Sequence, residues 1–178
     1  MSLLAAAFID RPDSIYSFEP DAIACQVLRK NLSFNNLNEK VTIFPFAVYS
    51  YDGLIEFNAQ DGNSNSHINN SSHIDDRGQL NKLECLTLNS ILESTKKPDL
   101  IKIDTEGAEI GIIKGASKLL QDKSVKFICE LHPFAWEWFD QADYGEFVTT
   151  IESYGRTIQP LDSNMKLTQL PSYSTIIF

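Results

Sequence analysis

The chain has 178 residues, a length that fits a single domain with its own hydrophobic core. Its 24 acidic and 15 basic residues give a formal net charge of −9, which argues against nucleic-acid binding because that needs a surface rich in lysine and arginine. It has no apolar run near the roughly 20 residues of a membrane span and no secretory signal, and its three cysteines lack CxxC spacing. We therefore expect a cytoplasmic protein of one domain, without nucleic-acid or membrane partners.

The first half of the chain predicts a strand, a helix, two strands, a polar loop and a fourth strand, at residues 14–18, 21–34, 41–46, 54–58, 60–79 and 83–88. Pro20 stops the first strand, and Asp21 can cap the helix that follows it. The loop consists mainly of Asn, Ser, Asp and Gly and offers little to bury. We predict that the loop is mobile or poorly ordered and serves specificity rather than stability.

The second half predicts helices and strands in alternation and then two terminal strands, at residues 90–94, 100–104, 108–120, 125–131, 144–154, 156–161 and 174–178. Gly155 can end the last helix. This alternation predicts an α/β fold with a mainly parallel sheet, and the last two strands predict an antiparallel hairpin at the C-terminus.

Polar side chains close several predicted strands, where ligands bind in open α/β sheets. Glu19 closes the first strand, where its carboxylate can accept both hydroxyls of a ribose or simply face solvent. Glu130 and His132 close the strand at residues 125–131 and point to the same side, since side chains alternate along a strand. A histidine there suits proton transfer near neutral pH, although a structural role before a proline is also consistent with the sequence.

A dense group of acids follows the strand at residues 100–104. Asp104, Glu106 and Glu109 surround Gly107 at a strand-to-helix turn. They can complement the dipole of the next helix, but three acids exceed what that requires, which favours a binding role. The strand itself contains Lys102, and a lysine inside a parallel sheet needs a charged partner.

Two further sets of residues give weaker signals. Phe46, Ala47 and Val48 follow a strand and are apolar enough to lie against a purine ring, which is no signal by itself. His67 and His73, in the polar loop, lack the spacing of metal ligands, so we predict that they are exposed and that the protein has no metal site.

The order of these motifs resembles the FkbM family of S-adenosylmethionine-dependent methyltransferases. The segments that carry the resemblance cover nearly the whole chain, and KIDTEGAE is the most specific part of them. They are SFEPD at 17–21, NLSFNNL at 31–37, FAV at 46–48, LTLNSIL at 86–92, DLIKIDTEGAEIGIIKGA at 99–116 and FICELHP at 127–133.

The resemblance implies a Rossmann-like class I methyltransferase fold with sheet order 3-2-1-4-5-7-6 and S-adenosylmethionine as the cofactor. It implies methyl transfer, usually to a hydroxyl oxygen of a sugar or another small acceptor. By position, Glu19 and the following Pro20 would bind the ribose, residues 46–48 would flank the adenine, and Asp104 would lie at the methionine end.

The acceptor side of the site follows from the same resemblance. Glu106, Glu130 and His132 would lie near the acceptor, with His132 or Glu130 as the base and Asp104 or Glu106 orienting it. In the implied strand order the strand of Lys102 neighbours that of Glu130, so Glu130 is the first candidate for the partner of this lysine.

The family pattern begins with a strand and a glycine-rich turn that receives the carboxypropyl end of the cofactor. Here Ser2 to Phe8 resembles the helix after that turn, and the earliest glycine is Gly53. We therefore expect residues 1–178 to be an N-terminally truncated domain without tight binding of S-adenosylmethionine. The strands flanking the absent one, at residues 14–18 and 100–104, would pair directly, take a segment from another protomer of a homo-oligomer, or belong to a longer protein.

Two interpretations of function stay open on this basis. One is a methyltransferase, and the other is a non-catalytic binding or assembly module descended from a methyltransferase. A nucleotide-dependent oxidoreductase is disfavoured because it also needs a glycine fingerprint.

Overall fold

The computed structural model describes residues 1–59, 67–68, 79–136, 143–162 and 174–178. Within these residues the helices are α1 (Ser2–Phe8), α2 (Ala22–Phe34), α3 (Leu88–Ser94), α4 (Glu109–Lys114), α5 (Ser117–Gln121), α6 (Pro133–Trp136) and α7 (Tyr144–Ser153). The strands are β1 (Ile15–Phe18), β2 (Val41–Phe44), β3 (Ala47–Val48), β4 (Gly53–Ala59), β5 (His67–Ile68), β6 (Gln79–Leu86), β7 (Leu100–Ile103), β8 (Lys126–Leu131), β9 (Gln159–Pro160) and β10 (Ser174–Ile177). In the described part of the chain, no helix is long and apolar enough to cross a membrane.

Two predicted helix ends are confirmed by the local hydrogen bonds and backbone angles. The Asp21 carboxylate caps α2 by accepting the backbone N–H groups of Ile23 and Ala24 at 2.8 and 2.9 Å. These N–H groups lie in the first turn of the helix and have no intrahelical partner, which is why an aspartate is favoured there. At the end of α7, Gly155 has a φ of +66°, a left-handed conformation that glycine adopts without strain.

Two of the sheets follow the predicted topology. β1 and β2 are parallel, with Ile15 opposite Val41. β7 and β8 are also parallel, and the order of their sheet is β7-β8-β10-β9, with β10 antiparallel to both of its neighbours. These orders match the 3-2 and 4-5-7-6 portions of the implied sheet, and the C-terminal antiparallel pair is confirmed.

The first two sheets are separate. Among the described strands, β1 pairs with β2 alone and β7 pairs with β8 alone. Direct pairing of β1 with β7, one of the three arrangements that the sequence left open, is therefore not formed.

A third sheet, in the order β3-β6-β4-β5, does not follow from the sequence pattern as a unit. β4 pairs with β6 in antiparallel register, and β5 adds to the far edge of β4, with Ile68 opposite Phe57. The prediction of an uninterrupted loop at residues 60–79 is wrong at these positions, because Ile68 is apolar and becomes buried in the core. The rest of that loop, its predicted mobility and the predicted exposure of the two histidine side chains lie outside the described residues.

Two predicted elements are each divided in two. The strand predicted at residues 41–46 ends at Phe44, since Pro45 has no N–H to donate to a ladder, and the chain resumes as β3 in the third sheet. The helix predicted at residues 108–120 breaks between α4 and α5. Gly115 lies at this break, and a Cβ on it would lie 2.5 Å from the carbonyl oxygen of Tyr49. The chain passes too close there for any side chain.

A second close approach to Tyr49 involves Gly111, in α4, and the Tyr49 ring. A substitution at Gly111 tests it. Gly111→Ala is expected to lower the free energy of unfolding by roughly 1–3 kcal/mol, the usual cost of overpacking. The new Cβ would lie 2.8 Å from Cζ of the Tyr49 ring, which would have to move. Alanine otherwise favours a helix over glycine by about 1 kcal/mol, so a stabilised variant in urea denaturation would contradict this packing. The double variant Gly111→Ala with Tyr49→Leu is expected to recover most of the loss.

The main core lies around β8 and is built from side chains of several elements. Its largest fully buried side chains are Ile113, Leu120, Phe127, Leu131, Phe147, Ile151 and Ile176. Because Leu131 is the last residue of β8, the strand delivers the next residue, His132, to the border of this core. The N-terminus of α4 meets the same border, and the candidate site lies there.

Candidate functional site

The carboxyl ends of β7 and β8 bring the predicted acids together. The two strands are parallel, with Lys102 opposite Ile128 and Ile103 opposite Cys129, so Asp104 leaves the sheet beside Glu130. Side chains alternate along each strand, which places Lys102, Asp104 and Glu130 on one face. The opposite face of β8 points into the core through Cys129.

Lys102 pairs with two carboxylates on this face. Its ammonium group contacts Asp104 Oδ2 and lies 3.4 Å from Glu130 Oε2. The Lys102 and Glu130 side chains are each 22% exposed. The predicted pairing of Lys102 with Glu130 is therefore confirmed, and Asp104 is a second partner.

Removing the Lys102 charge alone is expected to destabilise the protein more than removing the charges of Lys102 and Glu130 together. Lys102→Met should lower the free energy of unfolding by roughly 1–3 kcal/mol, because the partly buried Glu130 and the more exposed Asp104 lose their counter-charge. Adding Glu130→Gln should restore part of that loss, since the amide carries no charge. Urea denaturation of both variants measures the difference, and equal losses would contradict the pairing.

Glu109 and His132 form a buried pair behind this face. His132 is 2% exposed and Glu109 is fully buried. Glu109 Oε1 lies 2.8 Å from His132 Nδ1 and also accepts the Gly107 N–H at 3.2 Å. Its Oε2 accepts the indole N–H of Trp136 at 2.7 Å. Gly107 has a φ of +102°, so the turn that aims its N–H at the carboxylate favours glycine.

The other ring nitrogen of His132 faces the acids that follow the carboxyl end of β7. Nε2 lies 4.0 Å from Asp104 Oδ1 and 3.9 Å from Glu106 Oε1. Burial alone would lower the pKa of His132, but the hydrogen bond and charge of Glu109, with the charges of Glu106 and Asp104, raise it above its ordinary value of 6.5. For Glu106, burial is the largest effect and raises the pKa of the carboxyl. The charge of His132 lowers this pKa, and the charges of the neighbouring carboxylates raise it. The four predicted catalytic residues thus lie in one cluster.

Three of these residues could also hold a metal ion. Asp104, Glu130 and His132 each offer one ligand atom, and the three atoms lie within 4.8 Å of one another. Carboxylate oxygens and imidazole nitrogens bind divalent metals, yet the Lys102 ammonium lies against both carboxylates in this arrangement. The absence of a metal site stays a prediction, which titration with Mn²⁺ can test.

Three of the predicted cofactor residues, Glu19, Pro20 and Phe46, lie at the end of the β1–β2 sheet, whereas Asp104 follows β7. The Glu19 N–H donates to Phe44 O at 3.0 Å and extends the ladder by one residue. Glu19 Oε1 accepts the N–H of Asp21 at 2.9 Å, across Pro20, and burial raises the pKa of this carboxyl. The Phe46 ring lies 5.5 Å from the Phe44 ring, centroid to centroid. An acidic group and aromatic rings are therefore close together at this strand end.

The two residues after Phe46 are held by the third sheet. Ala47 pairs with Cys85 and is 3% exposed, and Val48 pairs with Leu86 and is half-buried. Because the Ala47 side chain belongs to the core, a ligand could reach this residue through its backbone only. The roles assigned to Glu19, Pro20 and residues 46–48 in cofactor binding stay predictions.

Sequence reasoning missed Trp136, and it named Glu109 only as one of the three acids around Gly107, without a role of its own. In the sequence Glu109 is one of several acids near a helix start, and Trp136 carries no signal. The pattern holds one clue, because Glu109 stands three and four residues before the buried Ile112 and Ile113, on the apolar face of its helix.

Comparison with known proteins adds a family and a fold. The family model described as the methyltransferase FkbM domain matches residues 3–158. A crystal structure of methyltransferase FkbM from Methylobacillus flagellatus KT is similar in fold, with a TM-score of 0.59 and 15% sequence identity. The similarity covers 93% of this chain and 36% of that chain, so this chain spans little more than a third of that protein. It confirms the predicted Rossmann-like α/β fold. No curated protein matches the chain.

Proposed function

The chain belongs to the methyltransferase FkbM domain family, and from this premise we propose that it acts in S-adenosylmethionine-dependent methyl transfer to a hydroxyl oxygen of a small acceptor, such as a sugar. The observation that carries the proposal is the buried pair of Glu109 and His132, whose Nε2 side faces Asp104 and Glu106 at the edge of the sheet.

The residues at the end of β1 fit the adenosine part of such a cofactor. A carboxylate can accept about four hydrogen bonds, and Glu19 uses Oε1 for one backbone N–H, which leaves capacity for ribose hydroxyls. The neighbouring Phe46 ring offers an apolar face for a purine. When bound, S-adenosylmethionine supplies a methyl group that is already strongly electrophilic. The protein then has to align the acceptor oxygen and take up its proton.

His132 is the group best placed to take up that proton. Its Nδ1 lies against Glu109, so Nε2 is the nitrogen that can accept the proton of an acceptor hydroxyl. Asp104, Glu106 and Glu130 surround the same point and offer only acceptor oxygens when ionised. An acceptor rich in hydroxyl donors suits this lining, whereas an anionic acceptor would be repelled.

A methyl-transfer assay tests the proposal. The protein is incubated with S-adenosylmethionine carrying a ¹⁴C-methyl group, at millimolar concentration so that weak donor binding does not limit the rate, and with a panel of neutral sugars. We expect labelled O-methyl sugar from at least one of them. The matched control is the same sugar with every hydroxyl already methylated, which should take up no label.

The same assay addresses the non-catalytic alternative. A binding or assembly module would give no labelled product with any acceptor, even if calorimetry showed that a sugar binds. That combination would overturn the proposed activity while leaving the family assignment intact.

A further inference from the structure

We propose that Glu109 is the positioning residue of this site: its buried carboxylate fixes the ring orientation and the tautomer of His132, so that Nε2 rather than Nδ1 accepts the proton. The proposal rests on the proposed function, in which His132 is the base. Glu109 itself faces away from the strand edge and needs no contact with substrate for this role.

Both carboxylate oxygens of Glu109 accept hydrogen bonds. Two of its donors, the Gly107 backbone N–H and the Trp136 indole N–H, have no acceptor capacity, so they define Oε1 and Oε2 as acceptors. The hydroxyl of Thr105 adds a third donor at 3.3 Å from Oε1. The ionised carboxylate has no proton to donate, so His132 Nδ1, at 2.8 Å from Oε1, is the donor in their contact. The lone pair of the neutral ring consequently lies on Nε2.

Distance decides the competition between the two sides of the ring. Asp104 and Glu106 could attract the ring proton to Nε2, which would give the tautomer that cannot act as a base there. Their oxygens lie 4.0 and 3.9 Å away, beyond hydrogen-bond length, whereas Glu109 lies within it at 2.8 Å. Glu109 therefore determines the tautomer of His132, although Asp104 and Glu106 favour a proton on Nε2.

Stability alone is a weak reason for a carboxylate at this position. Glu109 is fully buried, and Ile110, Ile112 and Ile113 of the same helix are buried as well. Replacing a buried charge by a well-packed apolar group is often neutral or stabilising, so burying this acid is explained better by a requirement for its charge and geometry.

Trp136 secures the orientation of the carboxylate. It is 4% exposed, and its ring packs on Tyr144 and Phe147 of α7 at centroid distances of 6.2 and 6.0 Å. The indole N–H that holds Glu109 Oε2 is therefore fixed by a packed aromatic wall. Rotation of Glu109 away from His132 would break this bond inside the core.

Nuclear magnetic resonance of the His132 ring tests the proposal directly. Long-range ¹H–¹⁵N spectra report the tautomer and the pKa of a histidine ring. The charged groups around this ring are Asp104, Glu106, Glu109 and Glu130, and Lys102 contacts the first and last of them. In the wild-type protein we expect the neutral ring to carry its proton on Nδ1. A neutral ring protonated on Nε2 would overturn the proposal.

Substitution of Glu109 gives the second arm. Glu109→Gln removes the charge at nearly constant volume, so it should lower the pKa of His132 and populate the Nε2–H tautomer. Glu109→Asp, which keeps the charge, should restore most of the wild-type pKa. Glu146→Gln, which removes the half-buried acid of α7 that pairs with Lys114 of α4, is the matched control and should change neither property. An unchanged His132 in Glu109→Gln would contradict the proposal.

A third variant covers the case in which Glu109→Gln does not fold. Trp136→Phe removes one hydrogen bond to Glu109 and keeps its charge, so we expect the His132 pKa to stay near the wild-type value while the two tautomers begin to mix. A tautomer as pure as in the wild type would contradict the role of Trp136. These spectra need no methyl transfer, so an inactive protein would leave the test of Glu109 unaffected.

Discussion

Replacing His132 with glutamine is expected to lower kcat by about 10²- to 10⁴-fold, the usual contribution of a positioned general base. Glutamine is similar in size and can still donate to Glu109, but it has no nitrogen that accepts a proton near neutral pH. Steady-state kinetics with labelled donor measure the loss. The KM for the donor should change little, because the predicted ribose ligand Glu19 lies at the end of the β1–β2 sheet and His132 follows a strand of a different sheet.

The pH dependence of the proposed activity follows from the same assignment. A base must be neutral, so kcat should rise as the pH rises through the pKa of His132, which lies above the ordinary value of 6.5. The stability effect has the opposite sign. Because the folded-state pKa is raised, protonated His132 stabilises the folded protein below the unfolded pKa, and this contribution is lost as the pH rises through the folded pKa.

The matched control for the kinetic experiment is Glu93→Gln, which removes an exposed acid paired with Lys118 on the surface. It should retain the wild-type kcat and pH profile. A His132→Gln variant with undiminished kcat would show that another group removes the proton, and Glu130 would then be the next candidate.

Replacing Arg156 with methionine is expected to lower the free energy of unfolding by roughly 3–5 kcal/mol, near the upper end of single-substitution effects. The Arg156 side chain is 7% exposed and donates to four backbone carbonyls at and after the end of α5. The acceptors are Leu119 O at 3.0 Å, Leu120 O at 2.8 Å, Asp122 O at 2.7 Å and Val125 O at 3.0 Å. The last carbonyls of a helix have no intrahelical partner, so the guanidinium satisfies groups that methionine would leave buried and unbonded.

Two further variants separate the charge from the geometry of this contact. Arg156→Lys keeps the charge but not the planar fork of donors, and it should recover only part of the loss. Arg29→Met removes an exposed arginine of α2 and should change the free energy of unfolding by less than about 0.5 kcal/mol. Urea denaturation compares all three, and an Arg156→Met variant as stable as Arg29→Met would contradict the capping role.

Local pattern predicted the residues at the strand ends. The apolar runs and the turn residues marked the ends of β1, β7 and β8, because strands and helix caps depend on neighbours in sequence. Two-residue alternation then placed Lys102 and Glu130 on faces that could meet, and the implied order of the sheet made them neighbours. Alternation and strand order together were therefore sufficient to predict their ion pair.

Tertiary structure alone decided the parts that depend on partners distant in the chain. The antiparallel pairing of β4 with β6, and the addition of His67–Ile68 to it, needed contacts that no local signal encodes. The sequence pattern places Arg156 in a terminal strand, whereas its side chain caps a helix more than thirty residues earlier.

The role of Glu109 shows the physical reason most clearly. At the start of a helix, a solvated glutamate that complements the dipole and a buried glutamate that orients a histidine look the same in sequence. What distinguishes them is whether donors from other elements offset the cost of burial. Here Gly107, Trp136 and His132 supply those donors, and both Trp136 and His132 follow β8 in the chain. The sequence determined which acids lie near the site, and the contacts of Glu109 with His132 and Trp136 decided which acid is buried behind His132.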